Sequence, residues 1–191
     1  RELAGPPSSL PMENGPRPFP RFGCWLPGRG IVDAIAVDAR PAVPLLFYRA
    51  ALEGAGTATL EALCAELDRQ GLRAVPLMIS TLKEAGNVGF VQEAFAAHDP
   101  QVVLNLTGFA LGLDGLDAAS NPFAGTDAPV IQLLQGGRAQ AQWAGDPQGL
   151  TAKDLAMQLV LPELDGRIGG LIVGHKHEAA WHAATQCALS A

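Results

Sequence analysis

Two carboxylates, Glu163 and Asp165, stand two residues apart in the stretch Leu161-Pro162-Glu163-Leu164-Asp165-Gly166. Such a pair could bind a hard or borderline cation, or take protons from a ring nitrogen. The plainer reading is a solvated turn closed by Gly166. Further on, His175, Lys176, His177 and His182 gather after an apolar segment. In an extended chain His175 and His177 share a face. With Glu163 or Asp165 nearby they could hold a transition metal such as cobalt or zinc; otherwise they form an exposed, locally basic stretch. Asn105 and Thr107 follow an apolar run. They could offer an amide and a hydroxyl to a ligand, or tie down their own loop backbone. Gly54-Ala55-Gly56-Thr57-Ala58-Thr59 has Thr where a dinucleotide fingerprint needs its third glycine, and the next strand ends Met78-Ile79-Ser80 with no acid for a ribose hydroxyl. It therefore reads as a strand-to-helix turn, whose helix N-terminus could face an anionic group. No GxxxxGK[ST] motif is present, so this chain has no P-loop for ATP.

Hydrophobic periodicity sets out the elements that must position these groups. Apolar runs at 45–49, 74–79, 102–106, 130–134 and 168–173 predict strands. The interval 57–69, with Leu60, Leu63, Cys64 and Leu67 on one stripe and Gly71 just past its end, predicts a helix. So do 88–98, and 151–160 with Thr151 as N-cap and Asp154 three residues on. Pro76 suggests that its strand lies at a sheet edge or begins there. Residues 21–26 could form a short strand and 27–30 a turn. Strands and helices alternating at this spacing predict an α/β fold: an open, mostly parallel sheet with helices on both faces, layered as in flavodoxin-like and Rossmann-like domains. Ligands then bind beyond the carboxyl ends of the strands, which directs attention to the loops 49–57, 80–87, 106–128 and 134–150. Residues 1–20 contain six prolines and read as a linker or arm. Residues 21–191 read as the α/β domain, regular from residue 43.

With 191 residues, 48% hydrophobic and 17% charged, the chain can bury a core. A net charge of −6 argues against nucleic acid or an anionic membrane as partner, since no basic excess exists to meet phosphates. No apolar run approaches the roughly 18 residues of a membrane span. Cys24, Cys64 and Cys187 lie far apart without a CxxC pair, as expected in a reducing cytoplasm. Cys64 falls on the helix face and reads as buried filler. Trp25, Trp143 and Trp181 read as packing residues; Trp143 could also cover the flat face of a ligand. A start at Arg1 makes the chain read as a piece of a longer one.

Several stretches, in order, resemble the large subunit of aerobic cobaltochelatase. They are Phe47-Tyr48-Arg49-Ala50, Ala55-Gly56-Thr57-Ala58, Ile79-Ser80-Thr81-Leu82-Lys83 and Val102-Val103-Leu104-Asn105-Leu106-Thr107-Gly108-Phe109-Ala110. Asp127-Ala128-Pro129-Val130-Ile131-Gln132, Gly149-Leu150-Thr151-Ala152-Lys153-Asp154-Leu155-Ala156-Met157 and Leu161-Pro162-Glu163-Leu164-Asp165-Gly166-Arg167-Ile168 continue the match, with Thr185-Gln186-Cys187 near the end. The magnesium-chelatase large subunit is similar over the Leu-Thr-Gly-Phe-Ala-Leu and Leu-Pro-Glu-Leu-Asp-Gly parts.

The resemblance implies part of a much longer tetrapyrrole-binding, metal-inserting subunit. The substrates would be Co²⁺ and a corrin-ring precursor, hydrogenobyrinic acid a,c-diamide, and partner subunits of the AAA+ ATPase class would bind ATP. Glu163 and Asp165 would then accept ring protons or hold the incoming ion, and Arg49, Asn105, Thr107 and Lys176 would meet the ring's acidic side chains. The family lends His175 and His177 no role. A tetrapyrrole-binding or scaffold domain without catalysis of its own, and a piece of a magnesium chelatase, are the competing readings.

Overall fold

The computed structural model describes residues 18–54, 56–112, 119–147, 149–177 and 180–183. The arm expected at 1–20 therefore lies outside the described residues up to residue 17, as do Thr185, Gln186 and Cys187.

Among the described residues eight strands form one sheet in the order β2-β1-β4-β3-β5-β6-β7-β8. They are β1 (Phe22–Leu26), β2 (Gly30–Val32), β3 (Ala42–Tyr48), β4 (Arg73–Ile79), β5 (Val103–Asn105), β6 (Val130–Gly136), β7 (Ile168–His177) and β8 (Ala180–Ala183). The centre, β4-β3-β5-β6-β7, is parallel, and antiparallel pairs flank it at β1 and β8. This is the expected mostly parallel α/β sheet, extended by the β1–β2 hairpin and by β8.

β3 shows why the centre forms: every residue from Ala42 to Phe47 is buried. Its adjacent leucines point to opposite faces, as strand geometry requires. Leu46 packs with Val75, Leu77, Ile79, Val91 and Phe95 on the face covered by α2 (Ala85–His98). Leu45 and Phe47 pack with Leu60, Cys64, Met78 and Leu133 on the face covered by α1 (Ala58–Arg69). Burying apolar surface on both faces is what makes these runs continuous rather than alternating.

Two sequence expectations need correction. Pro76 does not mark an edge strand, because β4 runs between β1 and β3. β1 pairs with β4 only at Leu77, Met78 and Ile79, so Pro76 sits just short of that ladder, where its missing N–H is not called upon. His175 and His177 do not follow the fifth predicted strand but belong to it, since β7 runs on to His177, whereas His182 lies in β8. His175 lies opposite Gly136 of β6 and His182 of β8.

The carboxylate segment also differs from the expected turn. α4 (Ala152–Leu155), a π-helical stretch (Ala156–Val160) and α5 (Leu161–Leu164) succeed one another without a gap, so Pro162 and Glu163 are helical. A proline inside a helix brings no N–H and presses on the carbonyl four residues back. The π turn accommodates it: the Leu161 N–H bonds to the Ala156 carbonyl, five residues back. The Met157 carbonyl, its ordinary α-helical acceptor, takes the Phe109 N–H at 2.9 Å instead. Gly108 lies where a Cβ would stand 3.2 Å from that same carbonyl. Helix and loop are thus joined through the irregularity.

Candidate functional site

The parallel strands reverse their winding at β3. One crossover leads from β3 through α1 to β4, the next from β4 through α2 to β5 on the other side of β3. A crevice opens beyond the carboxyl ends at such a switch point. Here a cleft of about 570 Å³ occupies it.

Phe47 and Tyr48 from β3 and Leu106, Gly108 and Phe109 after β5 form its floor. Ala50 of the 3-10 turn after β3, Gly56, and Thr59 and Leu60 at the start of α1 make one wall; Gln135 near the end of β6 and Gly137 and Arg138 after it, with Lys153, Asp154, Met157 and Gln158, make the other. Lys176 of β7 closes the rim. Asp154, Met157 and Gln158 share this wall because residues three and four apart lie on one helix face.

Hydrogen bonds fix the polar groups of the wall. The Asp154 carboxylate accepts from the Thr151 hydroxyl at 2.8 Å and from the Gly137 N–H at 3.2 Å, while Thr151 accepts from the Asp154 N–H, the predicted cap. Gln158 brackets Gln135: its amide donates to the Gln135 carbonyl and accepts from the Gln135 N–H, both at 2.7 Å. Arg138 donates to Asp146 and to the Gly149 carbonyl. Burial pushes the Tyr48 phenol above its usual value, so it stays neutral and donates to the Gly108 carbonyl at 3.0 Å.

Of the candidate catalytic, binding and metal residues read from sequence, Lys176 alone among the described side chains lines this cleft. Asn105 and Thr107 are wholly buried. The Asn105 amide oxygen accepts from the Thr107 hydroxyl at 2.7 Å and its N–H, and its NH₂ donates to Gln132 and to the Thr107 carbonyl. Their polar atoms are spent inside the protein, so the loop-fixing reading replaces direct contact with a ligand. Asp165 is likewise taken: it accepts from Arg167 at 2.6 Å and from the Leu111 N–H at 2.8 Å, and its side chain is only 3% exposed. Glu163 is exposed on α5, away from the cleft lining. Arg49 pairs with Glu53 at 3.1 Å, one turn along. His175 is partly buried in β7; the His177 backbone closes that strand, and its side chain lies outside what is described. Among the described residues no three His, Cys, Asp or Glu side chains converge as metal ligands would. Trp143 is buried in the short helix α3 (Gln140–Ala144), where its ring packs against Gly136.

The sequence marks Asp154 as a cap partner and Thr59 as part of a helix start that could face an anionic group, and it gives no mark to Arg138 or Gln158. The i, i+3, i+4 spacing of Asp154, Met157 and Gln158 was the available signal for a shared face. Nothing local announces that Thr59 faces the same space, because that depends on the crossover.

The chain is 38% identical, over 87% of its length, to the aerobic cobaltochelatase subunit CobN of a Sinorhizobium species. It is 39% identical over 68% to that of Pseudomonas aeruginosa, and 26% identical over 94% to the H-type subunit of magnesium chelatase from Rhodobacter capsulatus. It spans 14%, 10% and 15% of those relatives. The catalytic subunit of cobaltochelatase from Mycobacterium tuberculosis superposes with a TM-score of 0.69 at 25% identity, over 90% of this chain and 15% of that one. The CobN/magnesium chelatase family model matches residues 13–189, and so takes in every strand of the sheet and the whole cleft. With sequence, fold and collinear motifs in agreement, this chain belongs to the CobN/magnesium chelatase family.

Proposed function

We propose that this chain is the part of a cobaltochelatase large subunit that holds one side of the tetrapyrrole during metal insertion. The whole subunit would place Co²⁺, its metal substrate, into hydrogenobyrinic acid a,c-diamide, with ATP bound by AAA+ partner subunits. The observation that carries the reading is the cleft at the switch point. It has an apolar, aromatic floor for a flat ring, and among the described residues Arg138, Lys153 and Lys176 line it with one carboxylate, Asp154, while Asp146 pairs with Arg138 beside it. In a chain of net charge −6, that local excess suits an acidic ligand. As the metal enters, ring nitrogens give up protons and the ion sheds water. Glu163, exposed on α5 outside the cleft lining, would take such a proton or the ion only from the part of the ring that extends past the cleft, and Asp165 is held by Arg167. Lys176 meets an acidic side chain of the ring at the cleft rim. The histidines His175 and His177 would belong to the approach of the metal.

Cobalt insertion by the full subunit with its ATPase partners, followed by the ring's absorbance, tests this. Glu163→Gln is expected to lower insertion while leaving ring binding intact. Unchanged insertion would remove Glu163 from the mechanism, and unchanged insertion by Ala50→Trp, which fills the cleft mouth, would remove the cleft.

A further inference from the structure

One wall of the cleft is the start of α1, a 12-residue helix whose N-terminus carries no side-chain cap. The first N–H groups of a helix have no partner within it and carry the positive end of its dipole. Thr57 stands at the capping position, yet its hydroxyl is committed elsewhere, donating to the Glu61 carboxylate at 2.6 Å. The cap of α4, by contrast, is made as the sequence predicts.

A second, independent feature lies one step along. Thr59 lines the cleft and is 1% exposed, and its hydroxyl has no hydrogen-bond partner. A buried hydroxyl left unpaired costs free energy that a valine of the same shape would not. Across the cleft stands Lys153, exposed and reaching from α4. The carboxylate beside it, Asp154, is occupied by Thr151 and Gly137. Uncapped N–H groups, an unsatisfied hydroxyl and an ammonium thus face one space.

We propose that the first turn of α1, the Thr59 hydroxyl and the Lys153 ammonium form a subsite for one carboxylate of the molecule that fills the cleft. Thr59 donates its proton to a carboxylate oxygen, the amides of the first turn donate to the same group, and Lys153 balances its charge. The assignment of that carboxylate to an acetate or propionate arm of a tetrapyrrole rests on the function proposed above; the anion site itself does not. Inorganic phosphate would meet the same donors.

The test uses the whole chain in two arms. In the first, hydrogenobyrinic acid a,c-diamide is titrated into wild type, Thr59→Val and Lys153→Ala. Each substitution is expected to weaken binding by about tenfold, the worth of one charge-assisted hydrogen bond. Thr59→Val is expected to melt no lower than wild type, because it removes an unpaired polar atom. Unchanged affinity in Thr59→Val overturns the subsite, whereas weaker binding with an undiminished melting temperature cannot come from lost folding. In the second arm, amide NMR shifts of residues 56–60 are followed with sodium acetate and with sodium phosphate. Should the ring not bind, saturable shifts here that Thr59→Val weakens would uphold the anion site and reject only the tetrapyrrole as its ligand. Absent shifts would reject the site. A response to phosphate and none to acetate would replace carboxylate by phosphate as the recognised group.

Discussion

Arg167 and Asp165 meet at 2.6 Å with side chains 1% and 3% exposed, and together they hold the loop that floors the cleft. Arg167 donates to the carbonyls of Thr107 and Phe109 and to the Gln132 amide oxygen, and its guanidinium lies over the Phe123 ring at 5.6 Å. Asp165 accepts the Leu111 N–H. Phe109 itself is held at φ +69°, a conformation costly for a residue with a side chain, and stays half exposed beside the cleft. Removing one member of a buried pair strands the other. Asp165→Ala is therefore expected to cost about 3 to 5 kcal/mol in urea unfolding. Asp165→Ala with Arg167→Met should cost less than the sum of the single changes. A loss near zero for Asp165→Ala would show that the pair does not hold the loop.

Gly170 allows β6 and β7 to approach closely. A Cβ there would stand 2.7 Å from the Gln132 carbonyl oxygen and 2.9 Å from an Ile131 methyl. Because one of those neighbours is backbone in a paired strand, it cannot swing aside. Gly170→Ala should lower stability by about 1 to 3 kcal/mol, the usual range for overpacking. A melting temperature equal to wild type would mean that the strands can part at no cost.

His98 ends α2 with its Nδ1 2.9 Å from Arg73. Arg has no acceptor, so Nδ1 must accept, which requires the neutral ring. Burial, and then the Arg73 charge, hold His98 below its usual value. The folded state thus takes up its proton at lower pH than the unfolded chain does. This contribution to stability is full above pH of about 6.5 and is lost as pH falls through the folded value. Melting temperature should decline on mild acidification, and His98→Gln should flatten the decline. An unchanged slope in that variant would place the sensitivity elsewhere.

Cys64 packs into the face beneath α1, and burial pushes its thiol up to about 11; burial raises Cys24 as well. The thiolate is the reactive form, so both should resist alkylation at pH 8 until the chain unfolds. Mass spectrometry after a short iodoacetamide pulse would show this by labelling of the two in urea and not in buffer. Prompt labelling of Cys64 in buffer would mean that α1 opens readily, and of Cys24 that β1 does.

Much of the fold can be read from the sequence because its cause is local. The apolar runs of β3, β4 and β6, the α1 stripe at Leu60 and Cys64, and the Thr151 cap each follow from patterns within a few residues. The site is less legible because its causes are distant. Asp165 looks like a surface acid until Arg167 is seen buried beside it. Asn105 and Thr107 look available until Gln132, from the neighbouring strand, closes their network. The π turn ahead of Pro162 has no simple sequence mark, yet it gives the loop at Phe109 its acceptor. Thr59 reads from sequence as part of a helix start that could face an anionic group, but it is the β3–α1 crossover that places it in the cleft.

The central claim is that the switch-point cleft receives a tetrapyrrole. The most direct measurement is a titration of this chain with hydrogenobyrinic acid a,c-diamide, read by the ring's absorbance and fluorescence, in wild type and in Ala50→Trp. Ala50 is exposed and lines the cleft, so the substitution blocks the space without entering the core. The account predicts saturable micromolar binding by wild type, weakened by about tenfold or more in Ala50→Trp at equal melting temperature. Binding that Ala50→Trp leaves untouched, or no saturable binding by the wild-type chain, would contradict it.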